Sequence, residues 1–477
     1  MARIAETNGR AIAAAGRRTA VPAMEKYLVR FLAYLTLALI GGLYATPGVA
    51  ADSELRDAIA GDYDYLGPLF EHFHRHPELS YVEHETAARL AAELREAGLT
   101  VTEGVGGTGV VGVLENGPGP VVLVRADMDG LPIAEKSGLP YASEARQVDI
   151  DGNEFPVMHA CGHDMHMTAL VGTMRQLAAR RDAWRGTVVA IGQPAEERIG
   201  GARKMIADGL YERFPRPDFA LALHVSSLLE TGMLTLDPGI AFSSSDSLDI
   251  IVHGVGTHGA APQFGKDPVV IASQIVLALQ TLVARELSPF EPGVVTVGSF
   301  HAGTKHNIIS DEARLQLTVR ADDAAVRDKL LAGIRRIAEN VGRAAGLAED
   351  HLPEVTAPLA STPPTLNEPA LTARLRDALV AHFGAAQLSS RPRVGMGAED
   401  FAYFLDVDPP VPGVYFRVGG TPAEVFAAAA AGGPPVPAHH SPLFRIAPRP
   451  AIVNGVEAMT VAVLELLGAA PVVAAGD

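Results

Sequence analysis

Short apolar runs alternate with helical patterns over the first half of the chain. Residues 121–124, 188–191 and 219–223 are almost uninterrupted in Val, Ile, Leu, Ala and Phe, as strands covered on both faces require. Between them, residues 85–97 repeat apolar positions at helical spacing and stop at Gly98. Residues 166–179 likewise place Leu170, Val171, Met174, Leu177 and Ala178 on one helical face. Strands alternating with helices from Tyr65 to about Asp237 predict an α/β domain: a mixed, mostly parallel sheet with helices on both faces.

The pattern changes after residue 245. Residues 248–253, 293–300 and 313–320 read as strands, and residues 268–287 and 323–345 as long helices. This order predicts a smaller α+β unit. The proline-rich stretch 353–364 reads as the return connection. Beyond it a helix at 370–383 and a strand at 413–418 resume the first domain, and residues 427–435 read as low-complexity loop. The expected boundaries are a first domain from 52–245 and 363–477, with an insert at 246–362.

Residues 1–51 stand apart. Lys26 and Arg30 precede an apolar stretch at 31–44, and small residues from Pro47 to Ala51 lead into Asp52-Ser53-Glu54. This is the grammar of a cleaved signal peptide, with Met24 an alternative start. The stretch is shorter than the roughly 20 apolar residues of a spanning helix, so no stable membrane anchor is expected after cleavage. An exported protein, periplasmic or secreted, is the expectation.

At 477 residues, 48% hydrophobic and 20% charged, the chain is long enough for two domains. Its formal charge of −16 becomes −20 without residues 1–51. That balance, with no cluster of Lys and Arg, argues against nucleic acid and for a small-molecule partner. A single cysteine, Cys161, rules out an intramolecular disulfide and needs its own explanation.

The chemistry gathers at expected strand ends. Glu196 and Glu197 follow the run 188–191, Asp127 and Asp129 follow 121–124, and His224 follows 219–223. Ligands bind at the carboxyl ends of strands in open α/β sheets. One glutamate of the pair could hold a metal while the other moves a proton. Cys161 and His163 are two apart, which in extended backbone turns both to one side, and Asp164 follows as an acceptor or helix cap. A lone Cys is otherwise a small buried hydrophobe. His159 and His166 flank this motif and read as structural histidines, outside the ligand list. The pair His439-His440 could be mere surface.

Several motifs together resemble the M20 metallopeptidases, in the amidohydrolase branch that includes hippurate hydrolases, auxin-conjugate hydrolases and N-acyl-amino-acid hydrolases. They are His74-Arg75-His76-Pro77-Glu78-Leu79-Ser80, Asp127-Met128-Asp129-Gly130-Leu131-Pro132, residues 158–163, residues 193–197, His258-Gly259-Ala260-Ala261-Pro262, Asn307-Ile308-Ile309, Gly397-Ala398-Glu399-Asp400-Phe401 and His440-Ser441-Pro442. They occur in family order over about residues 65–465.

The resemblance implies that Cys161, His163, Glu197, His224 and His440 hold two divalent metal ions. Manganese or zinc is expected, with cobalt or nickel also compatible. It implies that Glu196 is the general base, that His258 stabilises the oxyanion from a partner subunit, and that Asn307 and Arg320 grip the substrate carboxylate. For Arg320 a surface ion pair is an equal reading. The insert would be a lid and dimerisation domain. Ser310, Gln263 and Gly130 depart from the pattern, where proline, histidine and alanine are usual.

The implied activity is hydrolysis of the amide bond of N-acyl amino acids, releasing amino acid and carboxylic acid. A dipeptidase or aminoacylase with the same metal centre, and a non-catalytic solute-binding protein of the cell envelope, are the rival readings.

Overall fold

The computed structural model describes residues 47–358, 360–390 and 393–468. The apolar stretch 31–44, on which the signal-peptide reading turns, lies outside the described residues. The first described element is the helix Pro47–Arg75, and from Leu55 onward the chain forms one compact unit.

An eight-stranded sheet forms its centre, in the order Thr100–Val105, Gly109–Glu115, Thr187–Gln193, Val121–Asp127, Phe219–Glu230, Gly413–Thr421, Leu234–Thr235 and Leu388–Ser389. The four middle strands, Thr187–Gln193 to Gly413–Thr421, are parallel to one another. A hairpin, Thr100–Val105 with Gly109–Glu115, adds antiparallel to one edge.

Each apolar run divides its side chains between two cores. Val122, Val124, Val188, Ala190, Leu221 and Leu223 pack with the helices His84–Glu96, His163–Ala179 and Pro448–Leu467 on one face. Leu123, Val189, Ile191, Ala220 and Ala222 pack on the other, with Met205 of Gly201–Ala207 and Phe404 of Ala402–Leu405. Neither face of these strands meets water, so alternation is absent from the sequence. Fully burying a Val or Leu stabilises by roughly 1.5–3 kcal/mol, which anchors the strand ends that carry polar residues.

The insert is a second sheet with its own core. Gly293–Ala302, Glu312–Ala321 and Ser245–His253 pair antiparallel, and helices Pro268–Thr281 and Ala324–Ala344 cover one face through Ile271, Ile275, Leu330 and Ile334. Along Glu312–Ala321 buried and more exposed positions alternate, as in a sheet covered on one side only.

Three expectations change. The proline-rich return contributes short strands, Glu354–Val355 and Ser361–Thr362, that both pair with Ser245–His253. The expected loop around 427–431 is the end of a helix, Ala423–Ala430, because consecutive alanines favour helix and Pro422 precedes the first turn. α-Geometry in the helix expected at 268–287 ends at Thr281. The hairpin Thr100–Glu115 and the long helix Pro448–Leu467 were not anticipated from the sequence pattern.

Candidate active site

The polar residues after the parallel strands converge on one buried cluster. Phe219–Glu230 runs past His224, but its neighbour Val121–Asp127 pairs with it only as far as Arg125 opposite Ala222, so His224 still lies beyond the sheet on that side. Cys161 Sγ stands 3.4 Å from His224 Nε2. Ligand atoms of Cys161, Glu197 and His440 lie within 4.8 Å of one another, as do those of His163, Glu196 and Glu197. His440 Nε2 is 3.4 Å and His163 Nε2 3.8 Å from Glu197 Oε1. All five residues of the expected ligand set, with Glu196, therefore meet in one place.

Backbone geometry holds this arrangement. Cys161 and His163 are joined through Gly162 at φ +91°, the residue before the helix His163–Ala179, so a left-handed turn, not extended alternation, places the two side chains. A Cβ on Gly162 would stand 2.4 Å from Val225 Cγ1. Ala195, Ile199 and His440 are non-glycine residues at positive φ beside or within the cluster. Such conformations cost of order 1–3 kcal/mol each and persist where surrounding structure enforces them.

Asp129 organises the glutamates. Its carboxylate accepts from the backbone N–H of Glu196 and of Glu197, each at 3.1 Å, and from Ser80 Oγ at 2.6 Å. It also lies 3.4 Å from His163 Nδ1. Behind it, fully buried Arg125 binds Asp127 and Glu399 at 2.7 Å and Gln193 at 2.8 Å. Tyr415 donates to Glu399 at 2.6 Å. Removing the carboxylate partners of so buried a guanidinium leaves an uncompensated charge.

The electrostatics suit bound cations. Burial alone would lower His163, but Asp127, Asp129 and Glu197 outweigh it and push it up to about 10. Burial, then Glu399 and Glu197, holds the Glu196 carboxyl well above the usual range. Burial and the neighbouring His166 and His439 keep His224 neutral, the form that ligates metal. Burial raises the Cys161 thiol, with Glu197 and Glu196 adding to it, so a thiolate here needs a cation beside it. Among the described residues, both His163 ring nitrogens and Glu197 Oε1 are buried with charged neighbours at 3.4–3.8 Å but no hydrogen bond. Buried polar atoms are rarely left so, and thiolate, imidazole and carboxylate donors fit two divalent ions sharing this cluster.

The remaining histidines separate. His166 is committed at both ring nitrogens, to Asp127 at 2.6 Å and to the backbone N–H of Val225 at 2.9 Å, which places it outside the donor set. Among the described residues His159 has neither nitrogen bonded, and burial lowers it to about 4. His439 Nε2 accepts from the Ser227 N–H at 3.3 Å, while His440 is the member of the pair that reaches Glu197. His74 bridges Asp164 at 2.6 Å and Glu135 at 3.1 Å beneath the start of the helix carrying His163.

The residues expected to touch substrate are on the insert. Thr257–His258 pairs with Ile308–Ile309, and the Gly259 N–H donates to the Asn307 carbonyl at 2.8 Å, so His258 and Asn307 are neighbours. His258 is exposed, and Asn307 Oδ1 is buried without a partner. Arg320 is half-buried, donates to Thr318 Oγ1 at 3.1 Å and, among the described residues, forms no ion pair; burial pulls it below its ordinary value against the opposing charge of Asp246. Among the described residues, no hydrogen bond or ion pair joins these three to the cluster. Sequence reasoning did not assign the bracing roles of Asp129, Arg125 and Glu399, although the acidic pairs at 127–129 and 399–400 were visible.

A buried carboxylate beside a donor set for two divalent ions, at the open end of a parallel sheet, defines a metal-dependent hydrolase. The chain belongs to peptidase family M20/M25/M40, whose model matches residues 123–430. It is 36% identical over 335 residues to a hippurate hydrolase of Campylobacter jejuni, covering 70% of this chain and 83% of that protein. It is 35% identical over 371 residues to thermostable carboxypeptidase 2 of Saccharolobus solfataricus, covering 77% and 88%. A dinuclear metal-binding M20 peptidase from Bacillus subtilis superposes with a TM-score of 0.66 at 28% identity, covering 86% of this chain and 99% of that one.

Proposed function

We propose that this enzyme hydrolyses the amide bond of N-acyl amino acids, releasing a carboxylic acid and a free amino acid. The observation that carries the reading is the buried carboxylate Glu196 among the donor atoms of Cys161, His163, Glu197, His224 and His440. Relatives named hippurate hydrolase and N-acetyl-L-cysteine deacetylase support the substrate class.

In this reading Cys161, His163, Glu197, His224 and His440 hold two divalent ions, manganese or zinc by donor chemistry. When bound, the ions supply an acidified water and polarise the scissile carbonyl. Glu196, not itself held as a ligand, accepts the proton of the attacking water and returns it to the leaving amine. His258 donates to the oxygen on which negative charge develops. Arg320 and Asn307 receive the substrate carboxylate, and Arg320, which forms no ion pair among the described residues although Asp246 acts on it through its charge, keeps donors for that role.

The insert then serves as lid and dimer contact. The edge strand Gly293–Ala302 and the outward-facing Val270 and Leu277 of the neighbouring helix form its apolar surface. Light scattering of the purified protein tests the dimer, and a strictly monomeric active enzyme would overturn it. Export, read from residues 1–51, is tested by N-terminal sequencing of the protein in the cell envelope and medium.

A specific second reading is a carboxypeptidase, as the Saccharolobus relative is named. Solute capture gains no support from relatives named as hydrolases. The deciding experiment is amino-acid release from N-benzoyl, N-acetyl and indoleacetyl amino acids and from dipeptides, with manganese or zinc against a chelated control. Metal-dependent release from N-acyl substrates is the expected result. Release from dipeptides alone would replace this reading with the peptidase.

A further inference from the structure

A cavity of about 410 Å³ lies beside the cluster and shares none of its donor residues. It is lined by Thr235, Asp237, Asn367, Arg393, Tyr415 and Arg417, among others. Arg417 pairs in register with His224 on one side and Thr235 on the other. Directly paired residues point to the same face of a sheet, so one row of side chains runs from His224 through Arg417 into this cavity. Adjacent strands are about 4.8 Å apart, which sets the cavity floor one strand away from the metal-binding cluster.

The polar groups of the cavity differ in whether they are engaged. Arg393 is tied to Asp322 and donates to Ser243 Oγ at 3.0 Å. The Asn367 amide bonds the Asp237 and Tyr415 carbonyls, each at 2.9 Å, and the Tyr415 N–H at 2.7 Å. The Tyr415 hydroxyl is given to Glu399. Arg417 is different. Its guanidinium sits 4.9 Å from the centre of the Phe242 ring and, among the described residues, has no hydrogen bond and no ion pair. Burial, with Arg393 adding to it, pulls it below its ordinary value against the opposing charges of Tyr415, Asp237 and Glu399.

A partly desolvated guanidinium over an aromatic ring, its donors unused among the described residues, is built to take a planar acceptor. The Thr235 hydroxyl, paired beside it in the row, makes no hydrogen bond among the described residues and is a further donor. Asp237 lines the same cavity without pairing with Arg417, and its negative charge disfavours a dianion such as phosphate. We propose that this cavity is a binding site for a single carboxylate, held by Arg417 and Thr235. The carboxylate is either the far end of a substrate whose amide lies at the cluster, or a free small carboxylate. Binding itself does not depend on the hydrolytic reading; only the substrate arm of the test rests on it.

The test has two arms, each on the metal-loaded full chain and on Arg417→Met. In the first, kcat/KM is compared for isosteric pairs, N-acetylglutamate against N-acetylglutamine and N-succinylglycine against its succinamide counterpart. A substrate source gives a preference of about tenfold or more for the charged member, lost in Arg417→Met while the neutral member changes less than about twofold. In the second, propionate and the neutral propionamide are compared by saturation-transfer NMR. A free-carboxylate source gives a propionate signal that is absent with propionamide, lost in Arg417→Met and strengthened in Asp237→Asn.

Absence of both the charge preference and the propionate signal in the unaltered protein overturns the site, whether or not the variants fold. Persistence of both in a folded Arg417→Met does the same. Failure of every substrate to turn over, with propionate still bound through Arg417, would count against the hydrolytic reading alone.

Discussion

The two sheets of this protein treat their polar residues in opposite ways. In the eight-stranded sheet, both faces are covered and the groups with chemistry are buried, braced and electrostatically shifted. His163, Glu196 and Asp129 are almost inaccessible, and each touches other charged residues. In the insert only one face is covered, and His258, Asn307 and Arg320 have few fixed partners. Groups that must hold metal and move protons need fixed positions in low dielectric. Groups that receive a substrate stay uncommitted until it arrives. On the proposed function, one sheet is thus preorganised for chemistry and the other left free for recognition.

The sharpest test of that contrast is Glu196→Gln. Turnover is expected to fall by roughly 10²–10⁴ or more with metal content and Tm unchanged, because the amide keeps the shape and loses only the proton acceptor. Metal analysis, thermal unfolding and kcat on one preparation check it, and undiminished hydrolysis would remove Glu196 from the mechanism.

His74 tests whether the bracing beneath the cluster carries stability. Burial opposes its charge, yet hydrogen bonds to Asp164 and Glu135 raise it to about 9. A raised histidine stabilises fully below its unfolded value near 6.5 and loses that contribution as pH climbs through about 9. The unfolding free energy from denaturant titration should therefore fall between those values by up to about 3 kcal/mol. His74→Asn should cost about 3–5 kcal/mol, since two buried carboxylates lose their shared cation, and should flatten the profile. An unchanged profile in the variant would show that the pair carries none of it.

On the insert the expected effects are kinetic and leave stability alone. His258→Ala should lower kcat about 10²–10³-fold with KM and metal content preserved. Arg320→Met should instead raise KM about tenfold for carboxylate-bearing substrates, with kcat nearly unchanged. Loss of Tm in either variant would mean that the insert is as preorganised as the first sheet. The smallest effect concerns Gly130, where the family pattern has alanine. A Cβ there would stand 2.9 Å from Val157 Cγ1 and 3.1 Å from Pro77 Cβ. Gly130→Ala should cost about 1 kcal/mol in denaturant unfolding without changing kcat/KM, as these neighbours must shift.

Much was legible in advance because local rules governed it. Uninterrupted runs at 121–124 and 188–191 mark strands buried on two faces, and Gly98 ends its helix where the spacing stops. Cys161-Gly162-His163, Glu196-Glu197 and His224 stood out at expected strand ends, whereas His440 was singled out by the family resemblance alone. The helix at 423–430 was misread because a run of small residues carries no amphipathic period, although alanine favours helix.

Sequence by itself determined most of the element types, since these follow from periodicity over neighbouring residues, while the candidate donors came from the resemblance of whole motifs to a family. Tertiary structure decided which donors meet. His166, three residues from His163, is spent on Asp127 and Val225, whereas His440, more than 200 residues from His224, joins the cluster through a left-handed backbone turn. It also decided that Arg125 and Glu399, 274 positions apart, share one buried network, and that Arg417 stands beside His224 with a guanidinium unpaired among the described residues. The physical reason is common to all three. A side chain's partners are set by strand order, register and burial, and these depend on how distant segments pack.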